Sequence, residues 1–246
     1  MLMQVDRVAS VEEAVAFRDA GANLIGVTLD RDPRFLDDRF VSPETASAIR
    51  QAIAPARVVG HVPTYFDDHA VAQTRACIER VLALRPDFIQ FYRNNPSDDL
   101  LSLVHAANIP IIREGAEIDD DDRAFFGQDD AVAWVRRQLE DRAKLKPMLF
   151  HLDVVTNRVD PWRFLVDIAP EWPDECSQVA DIAATTRDLP FLLSLMGLSA
   201  ETISPYVQAF PDVRGFFARL GPDAAGSASF TEPEPLLAAL HALQAL

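Results

Sequence analysis

"MQVDRVASVEEAVAFRDAGANLIGVTL", residues 3–29, reads as a strand, a helix and a second strand. In the first apolar run Met3 and Val5 fall on one side and Gln4 and Asp6 on the other, the two-residue period of an extended chain. Ser10 with Glu13 is a helix-start signal, and Val11–Ala20 then carries apolar residues at three- and four-residue spacing. Leu24–Leu29 is the next apolar run. Gln4, Asp6 and Arg7 pose the functional question. On a strand that buries one face, they point either to water or to something the protein acts on.

The same unit recurs to the end of the chain. Strands are predicted at Met3–Val8, Leu24–Leu29, Val58–Val62, Phe88–Phe91, Pro110–Arg113, Met148–Val154, Phe191–Leu195 and Gly215–Arg219. Helix-like segments lie at Val11–Ala20, Ser42–Ile53, His69–Leu84, Asp98–Ala107, Asp130–Lys144, Trp162–Ile168, Ser199–Phe210 and Pro235–Leu246. Ser42-Pro43-Glu44-Thr45 and Ser199 with Glu201 are further start signals. Eight strands each followed by a helix, in 246 residues, is the rhythm of a single-domain α/β protein, the (β/α)8 TIM barrel. An open doubly wound sheet is the rival. No linker rich in Gly, Pro or Ser divides residues 1–246, so one domain is expected. Two stretches break the rhythm: the acidic Glu114–Asp130, a solvated loop or else a lid or cation site, and the Pro-interrupted Ala169–Ala180, expected on the barrel exterior.

Composition bounds the function. A formal net charge of −15 disfavours nucleic acid, whose binding draws on Lys and Arg, and an anionic ligand would need local arginines. No leader-like N-terminus and no membrane-length apolar run is seen, so a cytoplasmic protein without a membrane partner is expected. Cys77 and Cys176 are too far apart in sequence for a metal knuckle or a disulfide framework, and Cys77 reads as a small buried hydrophobe.

Three strands share a polar parity. Gln4 and Asp6 oppose Met3 and Val5. Gln90 and Tyr92 oppose Ile89 and Phe91. His151 and Asp153 lie with Leu149, opposite Met148, Phe150 and Leu152. This puts ionisable groups inside the barrel near the strand C-termini, where barrel enzymes keep their chemistry.

With these motifs in place, the chain resembles phosphoribosylanthranilate isomerase, a (β/α)8 enzyme of tryptophan synthesis. "VASVEEAVAFRDAGANLIGV" is similar to that family's first helix and second strand, and "DRFVSPETASAI" to its S-P-R-Y-V-S-P-E-E-A segment, with Arg39 at the arginine position. "RVVGHVPT", "DFIQFY", "HLDVV" and "LPFLLSLMGLSAETI" resemble its third, fourth, sixth and seventh strands in order. The resemblance implies proton-transfer chemistry on a small carboxylated molecule. Asp6 would stand where the family has its general-base cysteine, Asp153 at the general-acid aspartate, and Arg39 would hold a carboxylate. Arg7, His61, Gln90, Tyr92, His151, Gly197 and Arg219 would line the site. Two carboxylates divide such work when their surroundings push their pKa values apart. No cofactor and no metal is implied, and relatives occur as monomers and homodimers.

The departures lie at the phosphate. The family grips it with backbone N–H groups at glycine pairs, where the missing Cβ lets the anion approach. This chain has nine glycines and no adjacent pair; "VVTNRVDPWRF" follows Asp153, Gly197 stands alone, and "GFFARLG" replaces the eighth-strand serines. Arg158 or Arg219 would have to substitute a point charge. Four readings stay open: a diverged isomerase or lyase, a genuine phosphoribosylanthranilate isomerase with a remodelled phosphate site, a non-catalytic barrel, and a metal-dependent hydrolase using Asp6, His61, His151 and Asp153. For the last, no H-x-H or H-E-x-x-H spacing is present.

Overall fold

Local signals set the helix starts. Ser10 Oγ accepts from the Glu13 backbone N–H at 3.1 Å, and the Glu13 carboxylate reaches back to the N–H of Ala9 at 2.8 Å, so two orphan donors at the start of α1 (Val11–Asp19) are satisfied. Ser42 Oγ accepts from Thr45 N at 3.1 Å, and Pro43 opens α2 (Pro43–Ala52), where its missing N–H costs nothing. The other helices among the described residues are α3 (Ala70–Leu84), α4 (Asp98–Ala106) and α5 (Pro233–Gln244). Each turns one stripe inward: Ala14 and Phe17 from α1, Ala46 and Ile49 from α2, Cys77, Ile78 and Val81 from α3, Leu100 and Val104 from α4. Fully burying side chains of the size of Phe17 or Ile49 contributes about 1.5–3 kcal/mol each.

The computed structural model describes residues 1–32, 38–65, 69–91, 96–119, 140, 145–155, 190–194, 213–221 and 233–245, with the backbone alone described at 114–119 and 153–155. Its strands are β1 (Leu2–Asp6), β2 (Leu24–Thr28), β3 (Arg57–Val62), β4 (Phe88–Phe91), β5 (Ile111–Asp119), β6 (Leu149–Val155), β7 (Phe191–Ser194) and β8 (Gly215–Arg219). All pair in parallel in sequence order, and β8 closes on β1 from Leu2↔Gly215 to Asp6↔Arg219. The expected eight-stranded barrel is therefore what forms, and the open sheet is excluded. The helix-like segments at 130–144, 162–168 and 199–210 and the stretch at 169–180 lie outside the described residues.

Two expectations are corrected. The acidic stretch is not a loop from Glu114 onward: residues through Asp119 extend β5 and pair with β6 as far as Asp119↔Val155, with a register irregularity between Glu114 and Ala116. The parallel ladder continues past the point where the apolar pattern stops. The first strand ends at Asp6 rather than Val8, because Arg7 takes a left-handed φ of 66°, which costs a residue with a Cβ about 1–2 kcal/mol.

Strand parity separates two apolar sets. Met3, Val5, Ile25, Val58, Ile89, Phe150 and Phe216 pack against the helices. Leu24, Val59, Phe88, Ile112, Leu149, Leu192 and Phe217, with Leu2 against them, fill the barrel interior, so every strand contributes one side chain. Among the described residues no helix is long and apolar enough to cross a membrane.

Candidate functional site

Two residues beyond that interior apolar layer, toward the strand C-termini, the inward positions become polar. Leu2 is followed by Gln4 and then Asp6, Leu24 by Gly26, Val59 by His61, Phe88 by Gln90, Leu149 by His151, Leu192 by Ser194 and Phe217 by Arg219. Asp6, Gln4, His61, Gln90 and His151 are all fully buried. Gln4 and Asp6 of β1, Gln90 of β4 and His151 of β6 thus share the inward face, as their parity predicts.

These side chains form one network centred on Asp6. Gln4 Nε2 donates to Asp6 Oδ1 at 2.6 Å and to Gln90 Oε1 at 2.6 Å, while Gln90 Nε2 donates to Asp6 Oδ2 at 3.3 Å. His61 Nε2 lies 3.1 Å from Asp6 Oδ1. His151 closes the ring, with Nε2 3.3 Å from Gln4 Oε1 and Nδ1 3.5 Å from Gln90 Nε2. Its imidazole stacks on Phe217 at 3.9 Å between ring centres. Burial alone would push the Asp6 carboxyl up. The charge and hydrogen bond of His61, then the charge of His151 and the hydrogen bond from Gln4, outweigh burial and hold Asp6 ionised, well below the usual carboxylate range.

Asp153 stands two positions beyond His151 on β6, paired in register with Glu117 of β5. It is therefore the next position of the same parity, one layer nearer the C-terminal end. Its side chain, and all of Tyr92, Arg158 and Gly197, lie outside what the structure describes.

Arginines ring this end. Arg7 is buried and donates through Nη1 to the Leu220 carbonyl at 2.6 Å. Arg219 is nearly buried, its guanidinium 5.1 Å from the Phe217 ring centre. Arg39 is drawn toward α1: Nε donates to the Arg7 carbonyl at 3.0 Å, and Nη2 pairs with Glu13 in the first turn of α1. One edge of the guanidinium, Nε and Nη2, is thereby occupied.

Two participants are not evident from the sequence. Gly26 is one: a Cβ there would sit 2.4 Å from both Asp6 Oδ1 and His61 Nε2, so the contact between those groups requires a glycine. An isolated glycine inside a strand is a signal of close approach, and it could have been read as such. Gln4, seen only as polar, turns out to bridge Asp6, Gln90 and His151. Arg113 is fully buried, in register with Phe91 and Phe150 of the helix-facing layer. Cys77 is buried as expected, and burial pushes its thiol pKa up. Among the described residues no group of three or more His, Cys, Asp or Glu could hold a metal ion.

No family model and no curated protein matches the chain. Solved structures do match over its whole length. Phosphoribosyl anthranilate isomerase from Thermotoga maritima superposes with a TM-score of 0.58 at 16% identity, covering 100% of both chains. The enzyme of that name from Thermus thermophilus gives 0.57 at 18%, covering 100% of this chain and 99% of the other. 3-Dehydroquinate dehydratase from Geobacillus kaustophilus gives 0.58 at 11%, covering 99% and 91%. At these identities the likeness is one of fold.

Proposed function

We propose that this barrel is an acid–base enzyme, an isomerase or lyase that moves a proton on a small carboxylated substrate at the strand C-termini. The observation that carries the reading is the fully buried carboxylate of Asp6, held at that end of the barrel among Gln4, His61, Gln90 and His151, surroundings that lower its pKa. A general base must be unprotonated at rest, and Asp6 is. In the proposal Asp6 takes a proton from a carbon of the substrate, and Asp153 returns one to the oxygen that gains charge; an isomerisation then leaves the atom count unchanged. Since its neighbours lower its proton affinity, Asp6 takes that proton only when substrate binding loosens the His61 contact. Arg39 would hold the substrate carboxylate with its remaining donors, and Arg7, Tyr92, Gly197 and Arg219 would line the mouth. Neighbours of this fold named as an isomerase and a dehydratase are compatible with either outcome.

Phosphoribosylanthranilate itself is expected to be turned over poorly or not at all. Each well-placed charge-assisted hydrogen bond is worth about 1.5–3 kcal/mol, and this chain lacks the glycine pairs that would supply several. Efficient isomerisation of that compound would instead favour a genuine phosphoribosylanthranilate isomerase with a remodelled phosphate site.

A second reading, a non-catalytic barrel, is favoured by one specific observation: Asp6 is wholly enclosed, with both oxygens engaged inside the protein. The deciding experiment incubates the protein in deuterated water with phosphoribosylanthranilate, 3-dehydroquinate and a series of small carboxylated ketoses, following carbon-bound deuterium by NMR. Exchange that Asp6→Asn and Asp153→Asn each slow by about 10²-fold or more would support the enzyme. Exchange with none of them supports the scaffold, and exchange indifferent to both substitutions removes Asp6 and Asp153 from the chemistry.

A further inference from the structure

We propose that the opposite, N-terminal end of the barrel carries a second binding site, for a small organic anion with an apolar body. A cavity of about 760 Å³ opens there, large enough for a drug-sized molecule. It is assembled from the starts of several strands: Leu2 of β1, Arg57 of β3, Leu149 of β6 with Met148 just before it, and Arg214 just before β8, together with Arg18 at the end of α1. None of these belongs to the polar layer around Asp6.

Charge gives the ligand its sign. The chain has 38 acidic and 23 basic residues, so thirteen lining residues drawn at those rates would hold about two carboxylates and about one cation. Among the described residues this lining holds three arginines and no carboxylate. Arg18 is committed, to Asp19 and to the Ala52 carbonyl at the end of α2. Arg57 and Arg214 form no ion pair among the described residues. The Arg57 guanidinium instead lies 5.0 Å from the ring centre of Phe88, a cation–π contact. Two guanidiniums with no ion pair among the described residues, in a cavity lined also by Leu2 and Leu149, match a carboxylate or phosphate head on a hydrocarbon body. The −15 background repels anions at a distance, so affinity here comes from contact within the cavity.

The test uses the full chain with methyl-labelled methionines. Met148 lines the cavity, whereas Met3 is buried in the helix-facing layer and serves as the internal control. Benzoate is titrated as the probe, with benzyl alcohol as its neutral counterpart and inorganic phosphate as a head without a body. The expected result is a saturable benzoate shift of the Met148 methyl, with Met3 unmoved and no comparable response to benzyl alcohol. The double substitution Arg57→Gln, Arg214→Gln should weaken benzoate at least tenfold. Both side chains are exposed; should the pair still impair folding, Arg214→Gln alone should weaken it measurably. Absence of a Met148 shift, equal binding of benzyl alcohol, an equal response to phosphate alone, or undiminished benzoate affinity in the arginine variants would each overturn the proposal.

Discussion

Oδ1 of Asp6 and Nε2 of His61 lie 3.1 Å apart inside the barrel, and both atoms would be 2.4 Å from a Cβ on Gly26. One charged residue, one titratable ring and one absent side chain thus occupy a single point where β1, β2 and β3 run side by side. Replacing Asp6 by Ala leaves His61 and the donors of Gln4 and Gln90 facing an uncharged void. Breaking a buried pair in this way costs about 3–5 kcal/mol. Urea unfolding of Asp6→Ala should show a loss of that size, and a loss below about 1 kcal/mol would mean that the carboxylate does not hold this layer together.

The pH dependence has a definite sign. Asp6 titrates below its ordinary value of 3.8 in the folded protein, so the folded state holds its proton less tightly than the unfolded chain does. Its contribution to stability is complete above the unfolded value and fades as pH falls from there through the lower folded one. Unfolding free energy measured from about pH 6 down to about pH 2 should drop on the acid side for the natural chain. Asp6→Asn should flatten that drop. An acid limb of equal steepness in the variant would assign the dependence to other carboxylates.

How far the sequence reveals this site depends on which forces set each part. Alternation is local and dictated by the pleat, so Gln4, Asp6, Gln90 and His151 declare their shared face in the linear chain. Closure of the barrel then brings those faces together, since an eight-strand count at this length has few other solutions. What the chain does not declare are contacts that depend on the stagger between strands. Leu24 stands opposite Arg57, and only that register carries Gly26 past the Asp6–His61 contact. Arg39 lies in a segment that resembles a ligand-holding motif, yet Glu13, twenty-six residues earlier, engages one edge of it. The extension of β5 into acidic sequence was hidden for a related reason: a parallel partner can hold charged residues in a ladder that hydropathy alone would end.

Gly26 offers a sharper probe than deletion. Gly26→Ala pushes a methyl into the space between Asp6 and His61, and overpacking of this kind costs about 1–3 kcal/mol. If the cost arises from parting that pair, it should shrink once Asp6 is already Ala. A double-mutant cycle between the two positions should therefore give a coupling of about 1–3 kcal/mol, favouring the double variant over the sum of the singles. Additive effects would mean that Gly26 is required for some other reason, such as strand packing.

Arg39 serves as a test of divided labour. Its Nε and Nη2 tie the approach to α2 to the Arg7 carbonyl and to Glu13, whose other oxygen accepts from the N–H of Ala9. Removing the guanidinium should loosen the cap of α1 as well as the pair; both partners are about one-fifth exposed, so solvent weakens the interaction without abolishing it. Arg39→Ala is expected to cost about 1–2 kcal/mol, and Glu13→Ala somewhat more, because it also deletes the hydrogen bond to Ala9. Arg39→Lys separates structure from recognition. Lysine keeps the charge near Glu13 but lacks the planar fork that a carboxylate fits. Stability should fall by less than about 1 kcal/mol, while affinity for a carboxylated ligand at the C-terminal mouth should drop at least tenfold. Urea unfolding and ligand titration on the same preparation give both numbers. Unchanged ligand affinity in Arg39→Lys, alongside the stability loss in Arg39→Ala, would make this arginine a brace between α1 and α2 and remove it from the substrate site.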